Sequence, residues 1–267
     1  MKETIIQPTV ADIASAIEAF APRGLQEDYD NAGLQVGDPE MPVSGILLCL
    51  DVTEEILAEA RERKCNLIVS HHPLLFRGLK QITGATPPQR MVIEALRHNI
   101  AIYSAHTNLD SAREGVSYEI AHILGMRNLV PLEPREGLEG VGLGIVGDIA
   151  PAPAIEFLRR VKECFDVRAL RYSARSPQLV IRRVAVCGGA GASLIRKAIE
   201  AGADVIVTGD VKYHDFTDFG DRILIADIGH YESELCTRKL LSRIIRERYP
   251  DSQTLFAITD KNPVNYL

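Results

Sequence analysis

Apolar and polar positions along the chain follow a period that switches repeatedly between helical and extended spacing. Thr9 followed by ADIASAIEAF predicts a capped amphipathic helix, GILLCLD (45–51) a buried strand, and EEILAEARERK (54–64) a helix. NLIVS (66–70) predicts a second strand, PQRMVIEALRHN (88–99) a helix and AIYSAH (101–106) a third strand. EGVSYEIAHILG (114–125) then predicts a helix closed by Gly125. The apolar runs are continuous rather than alternating, as expected for strands covered on both faces.

The second half repeats the rhythm. VGLGIVGDI predicts a strand, PAPAIEFLRRVKECF a helix opened by prolines, RRVAVCGG a strand and GASLIRKAIEAG a helix. DVIVTGD (204–210) and RILIADIG (222–229) are two more buried strands, HYESELCTRKLLSRIIRERY (230–249) one long helix, and TLFAI (254–258) a last short strand. Between the halves, PLEPREGLEGVGLG (131–144) turns rich in Pro, Gly and Glu, which marks it as a boundary or hinge. The fold class expected is α/β: two α/β domains with mostly parallel or mixed sheets. A discontinuous metal-binding domain would take residues 1–128 with 226–267, and the second domain 129–225.

Composition narrows the function classes. At 267 residues with 46% hydrophobic positions, the chain can bury a substantial core. A formal net charge of -6 argues against a basic nucleic-acid footprint. No apolar run has the length of a membrane span and the start of the chain lacks the pattern of a signal peptide, so a cytoplasmic protein without a membrane partner is expected. The five cysteines are scattered with no C-x-x-C pair, and are expected as small core residues.

Polar residues collect where predicted strands end: Asp51, His71 and His72, His106 with Asp110, Asp210, and Asp227 with His230. In open parallel sheets ligands bind beyond the carboxyl ends of the strands, so these segments can converge on a cleft between the two domains. The chain has seven histidines and sets two side by side in SHHPLLF (70–76). In a pleated strand one ring would face each way, but Pro73 ends the pairing and can release both rings to one pocket. In DIGHYESE (227–234) a helix would place His230 and Glu234 one turn apart, about 6 Å along the axis, on one face. In AHTNLD (105–110) a loop can turn Asp110 back over the sheet edge, although Asp there also serves as an ordinary turn or capping residue. Taken singly, each group has a structural explanation. Together His71, His72, Asp110, His230 and Glu234 form an imidazole and carboxylate set without thiolate, suited to zinc, iron, manganese, nickel or cobalt. Five ligands exceed the needs of one open site, so two divalent ions per subunit are expected, about 3.5–4 Å apart.

Other motifs carry less. CGGAGAS (187–193) follows a strand and could cradle a phosphate, but it lacks the P-loop lysine and departs from G-x-G-x-x-G, so a tight strand-to-helix turn is the preferred reading. GDVKYHDF (209–216) holds Asp210, Lys212 and His214 after a buried strand. His106 and His214 are candidates for proton transfer or for supporting the ligands, and Lys212 for contacting an anionic substrate.

The ordered motifs DNAGLQVGD (30–38), SHHPLLF, AHTNLD, GDVKYHD (209–215) and DIGHYESE resemble those of the dinuclear-metal-centre family known as GTP cyclohydrolase 1 type 2, also called the Ngg-interacting-factor-like family. The resemblance implies two α/β domains, a homohexameric ring built as a trimer of dimers, and a two-metal site with Glu234 as a bridging ligand. It implies no inserted domain in mid-chain, where longer members carry one. The reaction it implies is metal-assisted hydrolytic opening of the guanine imidazole ring of GTP with loss of formate; another heterocycle is an alternative substrate. A non-catalytic metal-delivery protein and a ring-shaped regulatory protein are the competing readings.

Overall fold

The computed structural model describes residues 7–173 and 178–267. Helix α1 (Val10–Phe20) starts at Thr9, whose hydroxyl accepts from the Asp12 amide while the Asp12 carboxylate accepts from the Thr9 amide, a reciprocal cap. There follow β1 (Gly33–Val36), β2 (Ile46–Cys49), α2 (Glu54–Glu62), β3 (Leu67–Ser70), α3 (Pro87–Arg97), β4 (Ala101–Ser104) and a short α4 (Thr107–Ser111). The chain continues through α5 (Val116–Ile123), β5 (Arg127–Pro134), β6 (Gly142–Pro153), α6 (Ala154–Cys164), β7 (Arg171–Tyr172) and β8 (Val180–Val186). It closes with α7 (Ile195–Glu200), β9 (Val205–Thr208), α8 (Tyr213–Phe219), β10 (Leu224–Asp227), α9 (His230–Glu234), α10 (Thr237–Arg248) and β11 (Thr254–Phe256). Two compact units result, one running to Leu109 and resuming at Thr237–Lys261, the other comprising Asp110–Cys236 with Asn262–Leu267.

The described strands of unit 1 form a sheet ordered β1-β4-β3-β2-β11, parallel except for β1, which runs antiparallel to β4. Helices α2 and α3 cover one face, where Ile56, Leu57, Met91 and Val92 pack with Leu47, Cys49, Ile68 and Ile102. Strand alternation sends Ile46, Leu48, Leu67 and Val69 to the other face, the side on which α10 lies against α1 and β2. All four positions of β2, β3 and β4 are buried, which is why these strands read as unbroken apolar runs. Each fully buried Leu or Ile contributes about 1.5–3 kcal/mol, so a strand such as β3 is a rigid base for whatever follows its last residue.

The described strands of unit 2 form a mixed sheet ordered β5-β6-β8-β9-β10-β7. Only the pairs β8–β9 and β9–β10 are parallel. The two-domain α/β expectation therefore holds, with more antiparallel pairing than the α/β rhythm suggests.

Three local differences have clear physical reasons. Residues 131–144, expected as a hinge, are the end of β5, a turn and the start of β6, an antiparallel hairpin inside unit 2. Its glycines serve the turn, where Gly137 and Gly140 have φ of 75° and 74°. The expected helix 230–249 is two helices with Leu235 and Cys236 between them. Leu235 keeps helical angles (φ -57°, ψ -24°), so the apolar phase survives a lapse in the hydrogen-bond ladder and sequence periodicity does not register it. The five cysteines are all unpaired thiols, but Cys164, expected in the core, is exposed at the end of α6. Among the described residues no helix is long and apolar enough to cross a membrane.

Candidate metal centre

In unit 1 the doubled histidine stands directly beyond β3. Beyond β3 the His71 amide donates to the Cys49 carbonyl (3.2 Å) and the His72 amide to the Leu50 carbonyl (2.9 Å); consecutive amides turned to the same neighbour mean that the chain has left the pleat here. Pro73, with no N–H, ends the ladder. Ser70 Oγ donates to the His72 carbonyl (2.8 Å), a turn-like contact that bends the chain out of the pleat. The two rings are consequently 5.0 Å apart between centroids instead of on opposite faces. His106, just before α4, brings its ring to 5.3 Å from His71 and 5.5 Å from His72. One ring nitrogen from each of the three lies within 4.8 Å of those of the other two.

An oxygen holds Nδ1 of each ring. For His71 it is the Ala105 carbonyl at 2.8 Å, for His72 Asp51 Oδ1 at 2.9 Å, and for His106 Asp30 Oδ1 at 2.7 Å. A carbonyl can only accept, so His71 carries its proton on Nδ1 and its lone pair on Nε2. Carboxylates favour the same tautomer at His72 and His106, the usual arrangement of metal-binding imidazoles. Burial raises the Asp30 carboxyl, but bonds from His106, the Thr107 side chain and the Asn31 amide outweigh it and hold the group well below the usual carboxylate range. Asp30 is thereby ionised at neutral pH.

In unit 2, α9 places His230 and Glu234 one turn apart, with Nε2 and Oε2 separated by 3.0 Å. His230 Nδ1 lies 2.8 Å from Asp210 Oδ2, repeating the pattern of unit 1. Asp110 on α4 and Glu234 offer carboxylate oxygens within 4.8 Å of each other. Glu234 is buried, backed by the turn after β8: a Cβ on Gly189 would stand 2.2 Å from Glu234 Oε1, and Gly189 itself has φ +58°. Burial and then the charges of Asp110 and Glu234 push the Cys187 thiol far up; burial, Glu119 and Glu234 push Cys236 up to about 12. The carboxylate charges that add to burial at these thiols also favour a cation.

The structure thus gathers His71 and His72, joined by His106, in unit 1, and gathers Asp110, His230 and Glu234 in unit 2. His214 stands on the exposed α8 with its ring against Tyr213, and joins no metal-competent group among the described residues. Lys212 is the exposed residue that precedes α8. In CGGAGAS, Gly188 and Gly189 pack against Glu234, while the Gly189 amide donates to Ser233 Oγ and the Gly191 amide to Thr208 Oγ1, both at 2.9 Å. Sequence reasoning gave no role to Asp30, Asp51 and Asp210 as holders of imidazoles. Asp51 and Asp210 carried a signal, a carboxylate directly after a buried strand; Asp30 carried none beyond its motif.

Histidines with fixed tautomers beside carboxylates, set on two mixed α/β units, define a protein whose described groups could hold a metal ion. The chain belongs to the Duf34/NIF3 (NGG1p interacting factor 3) family, whose model matches residues 8–263. It is 37% identical over 228 residues to a GTP cyclohydrolase 1 type 2 homolog of Clostridium acetobutylicum, covering 84% of this chain and 85% of the relative. It is 34% identical to NIF3-like protein 1 of Drosophila melanogaster, covering 79% and 72%. Staphylococcus aureus protein SA1388 shares the fold, with a TM-score of 0.89 at 24% identity over 98% of this chain and 100% of that one. Reduced HcgD from Methanocaldococcus jannaschii superposes with a TM-score of 0.78 at 26% identity, over 93% and 97%.

Proposed function

We propose that the chain binds two divalent metal ions through His71, His72, Asp110, His230 and Glu234, and that the loaded centre hydrolyses a nucleotide or a related heterocycle. The observation that carries this reading is the repeated arrangement in which an oxygen holds Nδ1 of His71, His72 and His230 and so leaves Nε2 as the atom on offer to a metal. Charge supports this ligand set: Asp110 and Glu234 would offset part of the charge of two divalent ions, which neutral imidazoles would not. Bound divalent ions supply Lewis acidity and lower the pKa of water to near neutrality. His106, backed by ionised Asp30, can accept a proton on Nε2 while Asp30 stabilises the resulting imidazolium. The name shared by the relatives points to GTP, with attack at C8 of the guanine, opening of the imidazole ring and release of formate. A cytoplasmic homohexamer, a trimer of dimers, completes the proposal, and native mass spectrometry tests the assembly.

A non-catalytic metal-delivery protein is the second reading: in loop 187–193 the Gly189 and Gly191 amides already donate to Ser233 and Thr208, which withdraws these two from any phosphate. Metal analysis of the isolated protein with anomalous scattering is expected to place two ions beside His71 and His230, and absence of metal there sinks the centre. Metal-loaded protein is expected to release formate from GTP, and His72→Ala to abolish that release. Bound metal that transfers to a chelating acceptor, with no formate at high protein concentration, leaves the delivery reading standing.

A further inference from the structure

Asp227 closes β10 and is 3% exposed. Its Oδ1 accepts from the Gly229 amide at 3.0 Å, the residue before His230. Its Oδ2 accepts from the Val211 amide at 3.1 Å, the residue after Asp210. Arg171 on β7 completes the clamp: one guanidinium nitrogen donates both to Asp227 Oδ2 and, at 2.9 Å, to the Val211 carbonyl. Both backbone groups of Val211 are therefore held by one ion pair. The guanidinium is itself seated over the Phe216 ring, 5.7 Å from its centroid.

What the clamp holds is an uncommon backbone. Asp210 has φ +53°, in the left-handed region that glycine favours and Asp enters only as a single residue. Gly229 has φ +91°. A Cβ on Gly209 would lie 2.8 Å from the His230 amide nitrogen, so the turn before Val211 lies directly against the segment it serves. From this turn the Asp210 carboxylate is set 2.8 Å from His230 Nδ1.

We infer that Asp227, with Arg171, is a positioning pair for metal binding: one buried carboxylate ties the segment bearing His230 to the segment bearing its partner Asp210. The pair touches no ion; it sets the direction of His230 Nε2 through Asp210. This inference rests on the proposed metal centre.

The test uses the full-length protein with Zn²⁺ in competition with a chromophoric chelator, Co²⁺ absorption spectra, and thermal melting without metal. Asp227→Asn keeps the shape but turns an amide N–H₂ toward a backbone N–H, and is expected to weaken Zn²⁺ binding about 10–100-fold and alter the Co²⁺ bands. Arg171→Gln, at a side chain 60% exposed, is expected to fold normally and shift affinity and spectrum in the same direction by less, with Arg171→Lys partly restoring both. In an Asp210→Ala background, Asp227→Asn is expected to add little, because both act through one imidazole. A lower melting temperature with unchanged Zn²⁺ affinity and Co²⁺ spectrum, or additive losses in the double variant, overturns the inference. Failure of the wild-type protein to bind either ion at the histidines overturns the metal centre itself, and this inference with it.

Discussion

The two halves of the candidate centre reach the same chemistry by different construction. In unit 1 the imidazoles follow buried parallel strands, and fully covered side chains on both faces fix where β3 and β4 end. In unit 2 His230 and Glu234 ride on a short helix, α9, whose placement depends on glycines and on buried hydrogen bonds. Strand ends inherit their precision from the sheet. Short helices have no such base and are held by close backbone approach, so they are the more fragile half.

Substitutions can break this comparison in order of expected effect. Gly189→Ala is expected to be the most damaging, because the new methyl meets Glu234 Oε1 at 2.2 Å on a backbone with φ +58°. Metal affinity measured by chelator competition should fall at least about tenfold, while the histidine ring resonances of unit 1 stay in place. Shifts of equal size in both units would show that the halves are not built independently.

Next come the holders of the unit 1 imidazoles. Asp51→Asn, at a half-exposed carboxylate, should weaken Zn²⁺ binding about tenfold with little change in melting temperature. Asp30→Asn should lower metal affinity and melting temperature together, because Asp30 also accepts from the Thr107 amide and hydroxyl. Equal melting temperatures for the two variants would refute the structural share assigned to Asp30.

The smallest effect on metal is expected from Glu59, which lies in neither half. This buried residue of α2 accepts from the Ile258 amide and from the amide and hydroxyl of Thr259, and pairs with Arg63. Burial raises its carboxyl, but those bonds prevail and bring it down to about 2. A depressed folded value means that its contribution is fully present above the ordinary Glu pKa of about 4.3 and disappears as pH falls toward about 2. Glu59→Gln should cost about 1–3 kcal/mol at pH 7, less at pH 3, and leave Zn²⁺ affinity unchanged; a cost independent of pH would contradict this assignment.

Much of the fold could be read without coordinates. Thr9 capped α1 as its sequence indicates, and the buried runs at 46–49, 67–70 and 101–104 are parallel neighbours. Strands β1, β5 and β7 escaped notice because edge strands lack the doubly buried apolar signature: β5 and β7 are mostly exposed. The hairpin at 131–144 was obscured because Pro and Gly punctuate turns and linkers alike.

The same division runs through the candidate site. Residue type and spacing already determined the chemistry on offer, since paired imidazoles before Pro73 and a His230–Glu234 helical pair are local facts spanning at most one helical turn. Tertiary structure alone decided which carboxylate holds which ring: Asp30 meets His106 because the start of β1 lies antiparallel beside the end of β4, and Asp210 meets His230 because the parallel strands β9 and β10 end side by side. It also decided that Gly188 and Gly189 make room for Glu234, and that the Gly189 amide donates to Ser233. Backbone amides point wherever folding leaves an acceptor, and no sequence pattern says whether that acceptor is a ligand or a neighbouring serine.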